Sequence, residues 1–469
     1  MTGTDLRQGR AIVRRCLSTR ENDMTKDMIR GTPWKLIVQF ALPIMAGNLL
    51  QQLYNTADTI IVGNFNGQQA LSAVGSCTAL TVLFTALAIG FSIGAGVLVS
   101  QYFGANRLEE LRRYAASSIV LMLAMGLLMS AIGFLSAELF LVKFLGTPAS
   151  LLPQAGLYFK IYVAGLVFQF GYNIAAAILR ALGDSRATLL FLLISSVLNV
   201  FLDLLFVAVF RMGVAGAAIA TVISQIASCV VGFFYMHRRY ALLRFSLAEL
   251  RLDKTAALRV LRIGTPMALQ QSIVSCGFLF LQKLVNLFGE SMIASYTVAS
   301  RMENILMIPI VGLQNTMATY AGQNMGARLP DRVSKGLGQG VLVSLLMTAG
   351  LCVLQLFGRP MIIRAFGLDE AAAAICRQHL LASALAMPIF AVYFPANGMF
   401  QGVGEGFFAT FCALLALGLR VVFAYCLYKT ALFGYTAIWW SQAMAWTVTL
   451  LTCYAHFFRG NWKKKNLVG

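Results

Sequence analysis

Two aspartates, Asp58 and Asp203, stand inside long apolar stretches of this 469-residue chain. Each has polar company at helical spacing. Gln51, Tyr54 and Asp58 follow one another at i, i+3 and i+7, so a helix puts them on one face with Asn55 beside them. Asn199 and Asp203 are spaced i, i+4 and share a face in the same way. If the two faces meet, two carboxylates, an amide oxygen and the hydroxyl of Thr221 converge. Two carboxylates in a poor dielectric cannot both stay ionised cheaply, so such a pair would hold a proton between them. The same oxygens could instead coordinate a hard cation such as Na+. The plainer alternative is that Asp58 or Asp203 only hydrogen-bonds a broken helix near Pro43, and that Gln51 and Tyr54 make ordinary interhelical hydrogen bonds. A second polar group lies further on, where Glu303 has Arg301, Lys283 and Arg420 as the basic residues within apolar stretches. That group fits a structural ion pair as readily as a functional site.

The elements that must carry these residues follow from composition. The chain is 59% apolar and 12% charged, with a mean hydropathy of +0.75, which excludes an ordinary water-soluble domain. Apolar runs long enough to cross about 30 Å of hydrocarbon as helices recur throughout. They fall near residues 35–63, 70–100, 114–142, 155–180, 188–210, 214–236, 258–288, 292–322, 336–363, 376–402, 407–428 and 434–458. The alternating ten-residue pattern of a membrane barrel is missing. A charged side chain at mid-membrane depth costs about 2.5–3.5 kcal/mol on insertion scales, so Asp58, Asp203 and Glu303 mark function by default.

The net charge of +19 reads as topology and anionic-lipid contact before it reads as nucleic-acid binding. With a cytoplasmic N-terminus, 27 of the 37 Lys and Arg residues collect on the cytoplasmic side, against seven in outward loops. Both termini are therefore expected in the cytoplasm of a plasma-membrane protein. Cys77, Cys229, Cys276, Cys352, Cys412, Cys426 and Cys453 fall within spans without metal-ligand spacing and read as small apolar residues. The Met-rich and Phe-rich stretches, including Met122, Met125, Met129, Phe278 and Phe280, read as core or lipid-facing residues before drug contacts. No cleavable signal peptide is visible, and residues 1–23 look unlike the rest, so Met24 is the expected natural start.

Sliding the chain against itself by about 222 residues aligns its halves. Leu42-Pro43 meets Thr265-Pro266, the run Gln101–Asn106 meets Gln323–Arg328, Arg180–Asp184 meets Gln401–Glu405, and Met212-Gly213 meets Phe433-Gly434. An offset of six spans gives both halves the same orientation, so the fold class expected is an all-α integral membrane protein of twelve helices in two six-helix lobes related by a parallel repeat. The expected parts are a basic N-terminal tail over 1–34, an N-lobe over 35–236, a cytoplasmic linker over 237–257, a C-lobe over 258–458 and a basic tail over 459–469. Duplicated lobes suit a transporter of small molecules.

The run Leu53–Gly63, the Arg180–Asp184 loop, Asn199-Val200-Phe201-Leu202-Asp203 and Gly213–Ala218 resemble the multidrug and toxic compound extrusion (MATE) family, and the likeness runs from about Thr32 to His456. The resemblance implies a two-lobed, V-shaped antiporter that exports cationic or amphipathic compounds in exchange for H+ or Na+. The match to the DinF-like branch implies a cation site at Asp58, Asn199, Asp203 and Thr221, a bend at Pro43, and a substrate cavity reached by Gln51, Tyr54 and Asn173. The NorM-like branch keeps carboxylates on its seventh and tenth helices; here those helices offer Gln270, Gln271 and Phe390, leaving Glu303 as the acid that could substitute. A monomer is expected, with the bilayer and its small-molecule substrates as partners and no cofactor beyond the coupling ion. Basic residues within spans keep a lipid-linked or polyprenyl flippase as the rival reading. An enzyme is not expected, since no metal motif, nucleophile elbow or nucleotide loop is present, and the Gly90–Gly96 stretch lacks the Walker lysine.

Overall fold

Gly67 is the first place where the backbone leaves helical geometry, at φ 78° and ψ 178°, and it separates α1 (Pro33–Gly67) from α2 (Gln69–Gly104). The computed structural model describes residues 27–246, 249–465, 467 and 468, and within helices the side chains of 68 and 274–280 are outside that description. The expected Met24 start and most of the N-terminal tail therefore lie outside the described residues, as do the side chains of Cys276, Phe278 and Phe280.

Every expected span is helical: α3 (Leu108–Leu135), α4 (Leu152–Ala164 and Leu166–Ala181), α5 (Ser185–Asp203), α6 (Gly213–Arg239), α7 (Lys254–Asn286), α8 (Glu290–Gly326), α9 (Pro330–Ala365), α10 (Glu370–Gly402), α11 (Gly406–Leu427) and α12 (Ala437–Arg459). Among the described residues no strand occurs. Local chemistry sets several boundaries. Asp184 caps α5 by accepting the Ala187 N–H at 3.0 Å, and Asp369 caps α10 through Ala372 at 2.6 Å. Pro330 opens α9 in its first turn, and Gly460 ends α12 in the left-handed region. Among the described residues, eight helices taken alone are long and apolar enough to cross a membrane, and α4, bent by 44° at Gly165, makes a ninth. Much of the outer surface is apolar, with Leu128, Val197, Leu354 and Phe407 exposed, as contact with lipid demands.

The repeat is written into the backbone. Left-handed residues recur in pairs: Gly67 with Gly289, Asn106 with Arg328, Gly146 with Gly367, Gly183 with Gly404, and Gly213 with Gly434. Each pair is separated by 221 or 222 residues. The chain breaks its helices at the same places in both halves, because those turns need φ > 0.

Two compact units result. Unit 1 holds Ala46–Ala268 with the short piece ending at Arg30 and Val468; unit 2 holds Gly31–Met45 and Leu269–Leu467. The divisions fall inside α1 and α7, not at residues 35 and 258, so the linker and the first half of α7 are part of unit 1. Glycines explain why. A Cβ on Gly90 of α2 would lie 2.2 Å from the Ala268 Cα of α7, and one on Gly94 would lie 2.5 Å from the Gly264 Cα, so α2 and α7 touch backbone to backbone. In unit 2 the first part of α1 meets α8 the same way, with Gly312 against Met45. Arg112 of α3 fixes the linker within unit 1, reaching Glu249 at 2.8 Å and the Leu242 carbonyl at 3.0 Å, and Arg113 binds Asp253.

Candidate functional site

Unit 1 brings the two sequence-marked faces together. α1 presents Asp58 and α5 presents Asp203, and their carboxyl groups come within hydrogen-bonding reach of each other. Asp203 is fully buried at the last turn of α5, where the helix loosens into a π-helical stretch, Leu204–Val209. Such stretches free backbone geometry inside a helix and often accompany function. Asn199, one turn earlier on the same face, is 3% exposed.

The oxygens of this cluster receive little from the protein. Both carboxylate oxygens of Asp203, Oδ1 of Asp58 and Oδ1 of Asn199 are buried and accept no hydrogen bond from a protein donor. Buried acceptors are normally satisfied, and leaving one unsatisfied costs about 1–3 kcal/mol. Asp203 therefore does not serve the backbone of a broken helix. α1 also runs continuously through Pro43, and the break comes at Gly67. Thr221 is part-buried on α6 and donates to its own helix, to the Ala217 carbonyl at 3.0 Å.

Tyr54 and Gln51 pair with each other through their side chains, with Tyr162, Tyr172 and Asp58 around the phenol. Asn173 on α4 donates to the Gln169 carbonyl at 2.9 Å. Spacing alone does not reveal the aromatic wall beside the aspartates. Tyr158 of α4 is within electrostatic range of both carboxyl groups and stacks on Tyr162 at 6.4 Å. The Tyr162 hydroxyl joins Thr85 at 3.2 Å and donates to Gln169 at 3.3 Å, and Gln169 reaches Thr85 at 2.8 Å. The i, i+4 spacing of Tyr158 and Tyr162 was the available signal.

In unit 2, Glu303 on α8 and Arg420 on α11 do come into electrostatic contact. Arg301 does not join them: it is exposed, since residues two apart on a helix face different ways. Lys283 is exposed as well. The partner that spacing does not reveal is His379 of α10, whose Nε2 lies 3.3 Å from the Glu303 carboxylate.

Known proteins match this chain along most of its length. The family model MatE fits residues 43–205 and again 266–426, two blocks that repeat at the offset seen in the backbone turns. The chain belongs to the MatE family. Relatives of this MatE protein include the probable multidrug resistance protein YpnP of Bacillus subtilis, 31% identical over 448 residues, covering 94% of this chain and 98% of that one. The multidrug export protein MepA of Staphylococcus aureus is 24% identical over 420 residues, covering 88% and 90% respectively. Among solved structures, a multidrug resistance MATE family transporter in an outward-facing conformation superposes with a TM-score of 0.88 at 24% identity, covering 94% of this chain and all of that one. That likeness establishes the fold, all-α and of the MATE type.

Proposed function

We propose that this MatE protein is a secondary active exporter of cationic or amphipathic small molecules, driven by H+ entering through Asp58 and Asp203. The observation that carries the reading is the group of buried oxygens on Asp58, Asn199 and Asp203 without donors, with the two carboxyls placed to share a proton. A cluster built for stability would be capped by backbone or side-chain donors; this one is left open to a cation. The names of its relatives support multidrug efflux as the cargo class.

Alternating access follows from this chemistry. A proton bound from outside neutralises the pair and weakens substrate binding; its release inside restores charge and substrate affinity. Coupling of this kind is reciprocal, so substrate must lower proton affinity by the same factor. A proton crossing about 150 mV gains roughly 3.5 kcal/mol, enough for a gradient of several hundred-fold in a neutral substrate. Tyr54, Gln51 and Asn173 are the cavity side of the site in this reading. In this reading the protein works as a monomer in the plasma membrane, and its one-sided basic residues favour cytoplasmic termini.

Efflux of a fluorescent cationic dye from vesicles tests the proposal, under separate H+ and Na+ gradients. Wild type should export under the H+ gradient, and Asp58→Asn and Asp203→Asn should fail at matched expression. Export driven only by Na+ would make the same oxygens a Na+ site, and full export by both variants would remove the site.

A further inference from the structure

Four helices of unit 2 converge on one imidazole. His379 of α10 is 2% exposed and lies between two aromatic faces, Trp439 of α12 at 4.8 Å and 18° and Tyr296 of α8 at 5.7 Å and 25°. Its Nε2 meets the Glu303 carboxylate of α8 at 3.3 Å, and Arg420 of α11, itself 8% exposed, interacts electrostatically with that carboxylate. The partners fix the tautomer. A carboxylate only accepts, so Nε2 carries the hydrogen and donates to Glu303, which leaves the lone pair on Nδ1. That Nδ1 is buried and has no hydrogen-bond partner.

Charge counting then singles out the ring. Glu303 and Arg420 balance each other, so the imidazole is the group whose protonation changes the charge of the cluster. The remaining titratable neighbours are thiol and phenol groups: Cys376 is buried one turn earlier on α10 beside Ser295, and Tyr435 bonds Gln378 at 3.1 Å and packs on Trp439 at 5.7 Å. α9 contributes Gln355, which donates to the Leu380 carbonyl at 3.0 Å and to Ser383 at 3.1 Å. A structural role would be met more cheaply by apolar side chains, since a buried ion pair seldom improves on them. We propose that His379 is a second proton-binding site, taking H+ at Nδ1 while Glu303 and the faces of Trp439 and Tyr296 stabilise the imidazolium. Its binding of a proton stands apart from the role of Asp58 and Asp203; its use in export rests on the coupled-transport reading above.

Trp439 provides the readout, because a protonated imidazole in ring contact quenches indole emission. In detergent-solubilised full-length protein, tryptophan fluorescence should fall as the pH is lowered stepwise and the imidazole takes up its proton. The falling component should disappear in His379→Gln and in Trp439→Phe, and persist in Asp58→Asn. Identical titrations for wild type and both unit 2 variants would overturn the proposal. If His379→Gln does not fold, His379→Phe decides in its place, since it keeps a ring between Trp439 and Tyr296 and removes only the titratable nitrogen. Failure of dye export in Asp58→Asn with the fluorescence titration intact separates this site from the coupling site in unit 1.

Discussion

At the scale of single residues, the informative feature is polar atoms left without partners. Asp203 and Asn199 are buried with open oxygens, whereas Asp184, equally buried, accepts from Tyr240 at 2.7 Å, Tyr235 at 3.0 Å and the Ala187 N–H. One carboxylate is structural and the other is available. Arg420 makes the opposite case, a charge whose removal strands another. Arg420→Met should lower thermal stability, because Glu303 then loses a cation in electrostatic range. Adding Glu303→Gln should recover most of the loss, as a fluorescence-detected melting series in detergent would measure; equal melting temperatures for single and double variants would refute the pairing. Asp58, Asn199, Asp203 and Glu303 were legible in sequence because an ionisable or amide group in an apolar run violates its own cost. His379 was not, because its partners come from other helices and a lone histidine has no spacing to betray it. Arg301 misled for the converse reason: nearness in sequence to Glu303 is not nearness on a helix face.

At the scale of elements, glycine positions and linker ion pairs decide which helices belong together. Gly94 admits Gly264 only because neither has a side chain, so Gly94→Val should force α2 and α7 apart and cost about 1–3 kcal/mol or more. Scanning calorimetry or thermal aggregation in detergent reads this directly, and an unchanged midpoint would mean the two backbones do not pack as described. The linker follows electrostatics. The hydrogen bonds from Arg112 hold the Glu249 carboxyl down to about 2. A depressed carboxyl stabilises above its unfolded value, near 4.3, and that contribution fades as pH falls toward about 2. Pepsin cleavage within residues 240–253 should therefore rise through that window, while Glu249→Gln should be cut readily throughout it. Cleavage of wild type that does not change with pH would show that the linker is held by something else. Helix number and register were legible from hydropathy. The crossing of α1 and α7 between units was not, because it depends on which small residues face each other.

At the scale of the whole molecule, duplication supplies two frames of the same fold in which different chemistry has settled. The positive-φ positions repeat almost residue for residue, as do the two blocks of the MatE match, while the polar groups do not. Unit 1 carries a carboxylate pair on α1 and α5; unit 2 carries a glutamate, a histidine and an arginine on α8, α10 and α11. The duplicated frame could be read from sequence because turns demand particular residues. The placement of the second cluster could not, because no repeat partner announces it. The central claim is that Asp58 and Asp203 hold the coupling ion. Substrate-driven proton movement in proteoliposomes loaded with a pH indicator tests it most directly. Adding a cationic substrate should move protons with wild type and leave the indicator still with Asp58→Asn and with Asp203→Asn. Equal proton movement by wild type and both variants would contradict the account.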